Sequence, residues 1–144
     1  LSLSQLVEFR NPVKDRNSLE AIYKETDLFV MPSRFGKWNG RWRGEGFGIV
    51  YVEAGAFGVP SIAYDCGGAT DIIRTGKNGL LVPQNDKAAL AKAIYTFAID
   101  RKLLSEMGEN AYTIAMKEFT PTVMRGQLDL FLQSFPLGTK LTTN

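Results

Sequence analysis

The sequence predicts an α/β fold: a parallel sheet flanked by helices, finished by an all-helical C-terminal end. Three observations carry this. Four short apolar runs, 6–9 (LVEF), 28–31 (LFVM), 61–64 (SIAY) and 79–82 (GLLV), are bounded by proline, glycine or asparagine breaks. Helical segments separate them, the alternation expected of a parallel sheet covered on both faces. Beyond Val82 the apolar residues recur only at helical spacing.

Taken in order, LVEF reads as a strand that runs into a loop at Asn11-Pro12. Ser18 can cap a helix over 19–26, with Leu19, Ile22 and Tyr23 on one face. LFVM is a buried strand closed by Pro32. The stretch 33–44 (SRFGKWNGRWRG) is a long basic loop with interleaved aromatics, where connections usually take 2–6 residues. It reads either as a binder of nucleic acid, phosphates or sugar rings, or as a mobile surface loop with two half-buried tryptophans. A helix then runs from near Phe47 to before Gly58-Val59-Pro60, and SIAY and GLLV follow as strands. Three helical stripes complete the core: Leu90, Ile94 and Phe97; Leu104, Met107, Ala111 and Ile114; and Met124, Leu128, Phe131 and Phe135. Thr120-Pro121 reads as an N-cap followed by proline at the first helical position. Residues 1–136 form one domain, and 137–144 a frayed tail.

Composition narrows the chemistry. The 144 residues include no histidine, which removes Ser-His-Asp and Cys-His catalysis and every histidine-bearing metal site. The single cysteine, Cys66, forms no internal disulfide and reads as a small buried thiol before a catalytic one. A net charge of +2 does not by itself argue for nucleic acid. No apolar run approaches the ~20 residues of a membrane span. Cofactors and metals are expected to be none.

The stretch GEGFGIVYVEAGAFGVP holds the chemical signal. Glu53 sits inside an apolar helix and needs a hydrogen-bond donor, from a ligand or from an arginine. Glu45 sits in the turn feeding that helix, among Gly44, Gly46 and Gly48, where free amides and the helix dipole favour an anion. It could equally be an ordinary acidic residue near a helix start. Eight residues, about 2.2 turns, separate the two carboxylates. A ligand with a central diphosphate and hydroxyls at both ends suits that layout.

With its flanks LFVMPS and AGAFGVPSIAYDCGGATDIIRTGKNGLLVP, and with MGENAYTIAMKEFT downstream, EGFGIVYVE resembles the C-terminal domain of retaining GT-B glycosyltransferases. These are the two-Rossmann-domain enzymes that include sucrose synthase, glycogen-synthase-like and mannosyltransferase members. The E-x7-E signature falls on Glu45 and Glu53, and the likeness runs from about Val7 to Phe135.

The resemblance implies a partial Rossmann-like donor-binding half. Its function would be transfer of a hexose from a nucleoside-diphosphate sugar, UDP before GDP, to a saccharide or lipid-linked acceptor in polysaccharide, lipopolysaccharide or glycolipid assembly. Glu45 would contact the donor hexose and Glu53 the ribose. Amides of Gly46, Phe47 and Gly48 would line the hexose and diphosphate. Asn11, Pro12 and Val13 would lie at the base, and Gly67 and Gly68 would border the cleft or form a plain turn.

The family's early GR…K pair for the leaving diphosphate has no match here. Arg41 and Arg43 are the only local substitutes, as a phosphate or acceptor loop. The first strand–helix units and the N-terminal acceptor domain are expected to lie outside this chain, which alone would be inactive. The expected setting is cytoplasmic, with peripheral association at the inner membrane face. The competing reading is a non-catalytic nucleotide-binding or interaction module that keeps the fold. A dehydrogenase-type module is disfavoured, because no G-x-G-x-x-G follows a strand.

Overall fold

A computed structural model of the chain describes residues 3–133. The element order is a 3-10 turn at Leu3–Gln5, then α1 (Arg16–Glu25), β1 (Phe29–Val30), β2 (Gly36–Trp38), β3 (Arg41–Arg43) and α2 (Ile49–Ala56). It continues with β4 (Ser61–Tyr64), α3 (Ala69–Ile72), β5 (Gly79–Val82), α4 (Lys87–Ile99), α5 (Arg101–Glu118) and α6 (Pro121–Gln133). The main sheet is parallel with order β1-β4-β5, in the register Phe29↔Ser61 and Ser61↔Gly79. The expected α/β architecture holds: a parallel sheet flanked by helices, with a helical end.

The central strand explains why SIAY is mostly apolar. All four of its residues are buried. Ile62 and Tyr64 point into a cluster with Val82, Ala93, Phe97, Leu104 and Met107, beneath α4 and α5. Ala63 points to the other face, where Tyr51, Ala69, Ile72 and Ile73 pack. Alternating side chains of one strand thus serve two layers, so both sets are mostly apolar, with Ser61 the one small polar side chain at the strand's start. Buried Asn78 ties the turn before β5: its amide donates to the Ile72 carbonyl at 2.9 Å and its oxygen accepts from the Arg74 N–H at 2.7 Å.

Helix α1 packs on α2 through Tyr23, Leu19, Ala54, Val59 and Phe57. Its cap is Asp15, three residues before Ser18. The Asp15 carboxylate accepts from the Ser18 N–H at 2.9 Å and from the Ser18 hydroxyl at 2.7 Å, so Ser18 lies inside the first turn. Asp competes better than Ser for an N-cap because its charge also meets the helix dipole. Thr120 does precede α6 as expected, with Pro121 first, and its hydroxyl accepts from the Val123 N–H.

Other expectations are corrected as well. Residues 6–9 form no strand: Leu6 and Phe9 are 81% and 95% exposed, and no strand among the described residues offers them a ladder. The 33–44 loop is instead built around an antiparallel hairpin, β2–β3, turned by Asn39 and Gly40 at φ 48° and 76°. Two consecutive positive φ values are the geometry an Asn-Gly hairpin turn needs. Its tryptophans are exposed rather than half-buried. The stripe Met124, Leu128 and Phe131 is also exposed, as is Ile94, so α6 adds little to the core; Phe135 and the 137–144 tail lie outside the described residues. Finally, α2 begins at Ile49 rather than near Phe47, because Gly48 takes a left-handed φ of 84° that a continuing helix forbids.

At its far end α2 crosses α5 on small residues. A Cβ on Gly55 would sit 3.1 Å from the Ala111 carbonyl oxygen, and one on Gly108 would overlap the Gly58 carbonyl oxygen. Gly108→Ala is therefore expected to force α5 off α2 and to lower stability by about 1–3 kcal/mol, read as a drop in urea midpoint at unchanged m-value. A midpoint equal to that of the parent would show that the crossing has slack.

Candidate functional site

In open parallel sheets, ligands gather beyond the carboxyl ends of the strands. Here the carboxyl end of β1 leads through the hairpin to Glu45, and that of β4 leads to Gly67 and Gly68. The two loops meet backbone to backbone. The Gly68 N–H donates to the Glu45 carbonyl at 3.4 Å. A Cβ on Gly67 would lie 2.8 Å from that same oxygen, and one on Gly68 would overlap the carbonyl oxygens of Gly46 and Phe47. Gly67 also holds φ 58°. The pair is therefore more than a plain turn: only glycine lets this loop press against the mouth of α2.

That mouth carries unused donors. The N–H groups of Gly46, Phe47 and Gly48 donate to no group among the described residues. The first amides of any helix also lack internal partners. Phe47 is fixed edge-on against Phe119, with centroids 6.0 Å apart. Tyr51 packs where a Gly48 side chain would be, and its hydroxyl donates to the Met31 carbonyl at 2.8 Å. Burial, with the Glu45 carboxylate as the next cause, pushes the Tyr51 phenol up to about 12, so it stays neutral. Glu45 itself is partly buried in the turn beside Gly48 and Tyr51.

Glu53 stands further along α2, on a flank shared with Ile49 and Ala56. This flank is not buried as the apolar sequence suggested: Ile49 is 61% exposed. It opens into a cleft of about 530 Å³ lined by Val13, Lys14, Asp15, Arg16, Tyr23 and Glu53, among others. The donor Glu53 required is Tyr23, whose hydroxyl lies 3.3 Å from its Oε2. Tyr23 in turn stacks on Phe57 at 5.4 Å. Burial first, then the Glu53 charge and hydrogen bond, raises the Tyr23 phenol to about 12. It therefore donates as a neutral group. No arginine or lysine among the described residues pairs with Glu53, and Arg16 in the same cleft pairs with Glu20 instead.

The candidate residues thus fall into two groups joined by α2. Glu45, Gly46, Phe47, Gly48, Gly67 and Gly68 cluster at its mouth, and Glu53 and Val13 share the cleft on its flank. Asn11 and Pro12 lie in the exposed segment leading to Val13. Arg41 and Arg43 stand on β3 and pair with no carboxylate among the described residues. Tyr23 was not among the predicted site residues. Its place in an apolar stripe marked it as core, and only the packing of α1 on α2 brings its hydroxyl to Glu53.

The sequence matches the family model described as "Glycosyl transferases group 1" over residues 1–114. It is 41% identical to the exopolysaccharide phosphotransferase SCO2592 of Streptomyces coelicolor, over 92% of this chain and 13% of that protein. It is 34% identical to a D-inositol 3-phosphate glycosyltransferase of Streptomyces bingchenggensis, over 77% of this chain and 22% of that protein. Among solved structures, HepE of Anabaena in complex with UDP superposes with a TM-score of 0.67 at 27% identity, covering 83% of this chain and 31% of that one. The chain thus spans less than a quarter of the length of either curated relative. The match over residues 1–114, most of the chain, makes it a member of the glycosyl transferases group 1 family.

Proposed function

We propose that this chain is the donor-binding part of a retaining glycosyltransferase that moves a hexose from a nucleoside-diphosphate sugar to a saccharide or glycolipid acceptor in bacterial polysaccharide assembly. The observation that carries the reading is Glu53: a partly buried carboxylate, held by one neutral phenol, facing a cleft large enough for a nucleoside. A carboxylate can accept about four hydrogen bonds. Tyr23 uses one, which leaves capacity for a pair of ribose hydroxyls. HepE was crystallised with UDP, which supports uracil as the base; guanine is the alternative. The name of the Streptomyces coelicolor relative supports an exopolysaccharide setting.

In this reading the unused amides of Gly46, Phe47 and Gly48 receive the diphosphate and hexose at the positive end of α2. Glu45 orients the hexose hydroxyls, Val13 and its neighbours border the base, and Gly67-Gly68 walls the cleft. Transfer passes through an oxocarbenium-like state. Positioning of the acceptor and stabilisation of the departing diphosphate supply most of the acceleration. The leaving phosphate takes the acceptor proton on the face it vacates, so configuration is retained. The acceptor would be held by the other half of the enzyme.

Titration calorimetry with UDP and GDP tests the donor site directly. Glu53→Ala is expected to weaken nucleotide binding at least tenfold, from loss of charged hydrogen bonds worth about 1.5–3 kcal/mol. Glu45→Ala should leave UDP affinity within about threefold while reducing transfer in the full-length enzyme by roughly a hundredfold or more. Equal and negligible effects of both changes, or no nucleotide binding by the parent, would reject the assignment and favour a non-catalytic module.

Tyr23→Phe removes only the hydroxyl. The expected outcome is a loss of about two- to tenfold in UDP affinity, matching one hydrogen bond of roughly 0.5–1.5 kcal/mol, with the thermal midpoint nearly unchanged. An unaltered affinity would show that Glu53 needs no help in facing the cleft.

A further inference from the structure

The hairpin β2–β3 concentrates charge in a way the donor site does not use. Between Arg34 and Arg43 lie four cations, Arg34, Lys37, Arg41 and Arg43, and no acidic residue. The whole chain carries a net charge of +2, so the rest of it is anionic. None of the four cations pairs with a carboxylate among the described residues. Both tryptophans of the chain stand on the same hairpin, Trp38 and Trp42, at 52% and 64% exposure.

The register decides what this surface can hold. Lys37 pairs with Trp42, and Trp38 with Arg41. Side chains alternate across a strand, so Lys37 and Trp42 share one face while Trp38, Arg41 and Arg43 share the other. Cations therefore point to both sides and cannot converge on a single phosphate. The indole faces are also engaged. Arg34 lies 4.9 Å from the Trp38 ring, Lys37 lies 5.6 Å from the Trp42 ring, and Phe35 stacks on Trp42 at 5.5 Å. A base or sugar ring would have to displace these partners to stack. A broad anionic surface needs neither convergence nor free ring faces: it takes cations around a perimeter, with indoles at the level of the headgroups.

We propose that the β2–β3 hairpin is a membrane-surface anchor, seated on a bilayer that carries anionic phospholipid, with Trp38 and Trp42 in the interface and the four cations against headgroup phosphates. Its base is fixed to the body of the protein. The Phe35 N–H donates to Gln84 at 2.7 Å, and the Phe35 ring fills the space above Gly44. The arm therefore rises from the same loop that delivers Glu45, and a bilayer under it lies beside the mouth of α2. The anchor does not depend on the glycosyl-transfer reading. Only its consequence does, namely that a lipid-linked acceptor would arrive next to the donor.

Because both tryptophans are on the hairpin, intrinsic fluorescence reports on it without a label. The test is titration of the chain with phosphatidylcholine vesicles, with and without phosphatidylglycerol, some carrying brominated acyl chains as quenchers. The expected result is a blue shift and bromine quenching with anionic vesicles only, weakened by salt. Partitioning should fall about fivefold for each cation removed in R34Q and K37Q, which keep the exposed backbone intact; far-ultraviolet circular dichroism checks this. Trp38→Ala with Trp42→Ala should reduce co-sedimentation with the same vesicles. No binding, or binding without a spectral change, overturns the proposal. So does a shift produced by single-stranded RNA but not by vesicles. UDP affinity, measured in parallel, is expected to be the same in R34Q and K37Q as in the parent, so failure of the anchor and failure of the donor site are read separately.

Discussion

The contact on which the site depends is between two stretches of bare backbone. Gly68 lies against the carbonyls of Gly46 and Phe47, and its N–H reaches the Glu45 carbonyl. This fixes how α2 enters the structure. The other end of α2 is held in the same manner, with Gly55 against the Ala111 carbonyl and Gly58 against Gly108. A helix gripped by backbone at both ends has little freedom to slide or roll, since no side-chain rotamer can absorb the motion. Both glutamates inherit that rigidity. Glu45 is carried by the turn that the glycines clamp, and Glu53 by the helix between the two clamps.

The partner given to Glu53 follows from what a charged acceptor must keep. A half-buried carboxylate needs a donor. An arginine would supply two, fork to fork, and would also cancel the charge. A phenol supplies one and cancels nothing. With its proton held up to about 12 by burial and by Glu53 itself, Tyr23 stays a neutral donor across the whole physiological range. The result is a carboxylate oriented by one contact and still able to accept. Tyr51 repeats the pattern near Glu45, again neutral, with its hydroxyl spent on the Met31 carbonyl. The body beneath the site is thus built from neutral aromatics, with one acid at the cleft and the other at the helix mouth.

How much of this was legible in the sequence depends on how local the determining physics is. SIAY was readable to the residue because an inner parallel strand is covered on both faces, and GLLV, at the sheet edge but packed under helices, shares enough of that demand to be read the same way. LVEF has the same composition but becomes a strand only if another strand lies beside it, which composition does not record. The hairpin was signalled by Asn39-Gly40, yet its charged and aromatic strands show no apolar alternation, so it reads as a loop. The stripe of α6 has helical spacing, yet Met124 and Leu128 are exposed, and periodicity alone cannot tell a buried stripe from an exposed one. At the site, the glycines and both glutamates could be named from the sequence, because backbone approach and buried charge restrict residue type. Tyr23 could not, because its hydroxyl matters only where α1 meets α2, thirty residues apart in sequence.

The two acids also face different electrostatic conditions, which bears on why one helix carries both. Glu45 precedes α2, at the end where the helix dipole and the free amides of residues 46–48 favour negative charge. An arriving diphosphate would want those same amides, so Glu45 must share the field with it and is best placed to one side, against neutral hydroxyls rather than against phosphate. Glu53 lies past the first turn, where the dipole has faded; its hydrogen-bond partner is the neutral Tyr23, and Lys14 and Arg16 line the same cleft without pairing with it. A carboxylate there gains most from donors that bring no charge of their own, which describes vicinal hydroxyls of a sugar. Placing the anion at the amides and a polyol at each carboxylate is the arrangement that leaves no like charges in contact, and a diphosphate flanked by two sugars, as in the donor proposed above, would meet it.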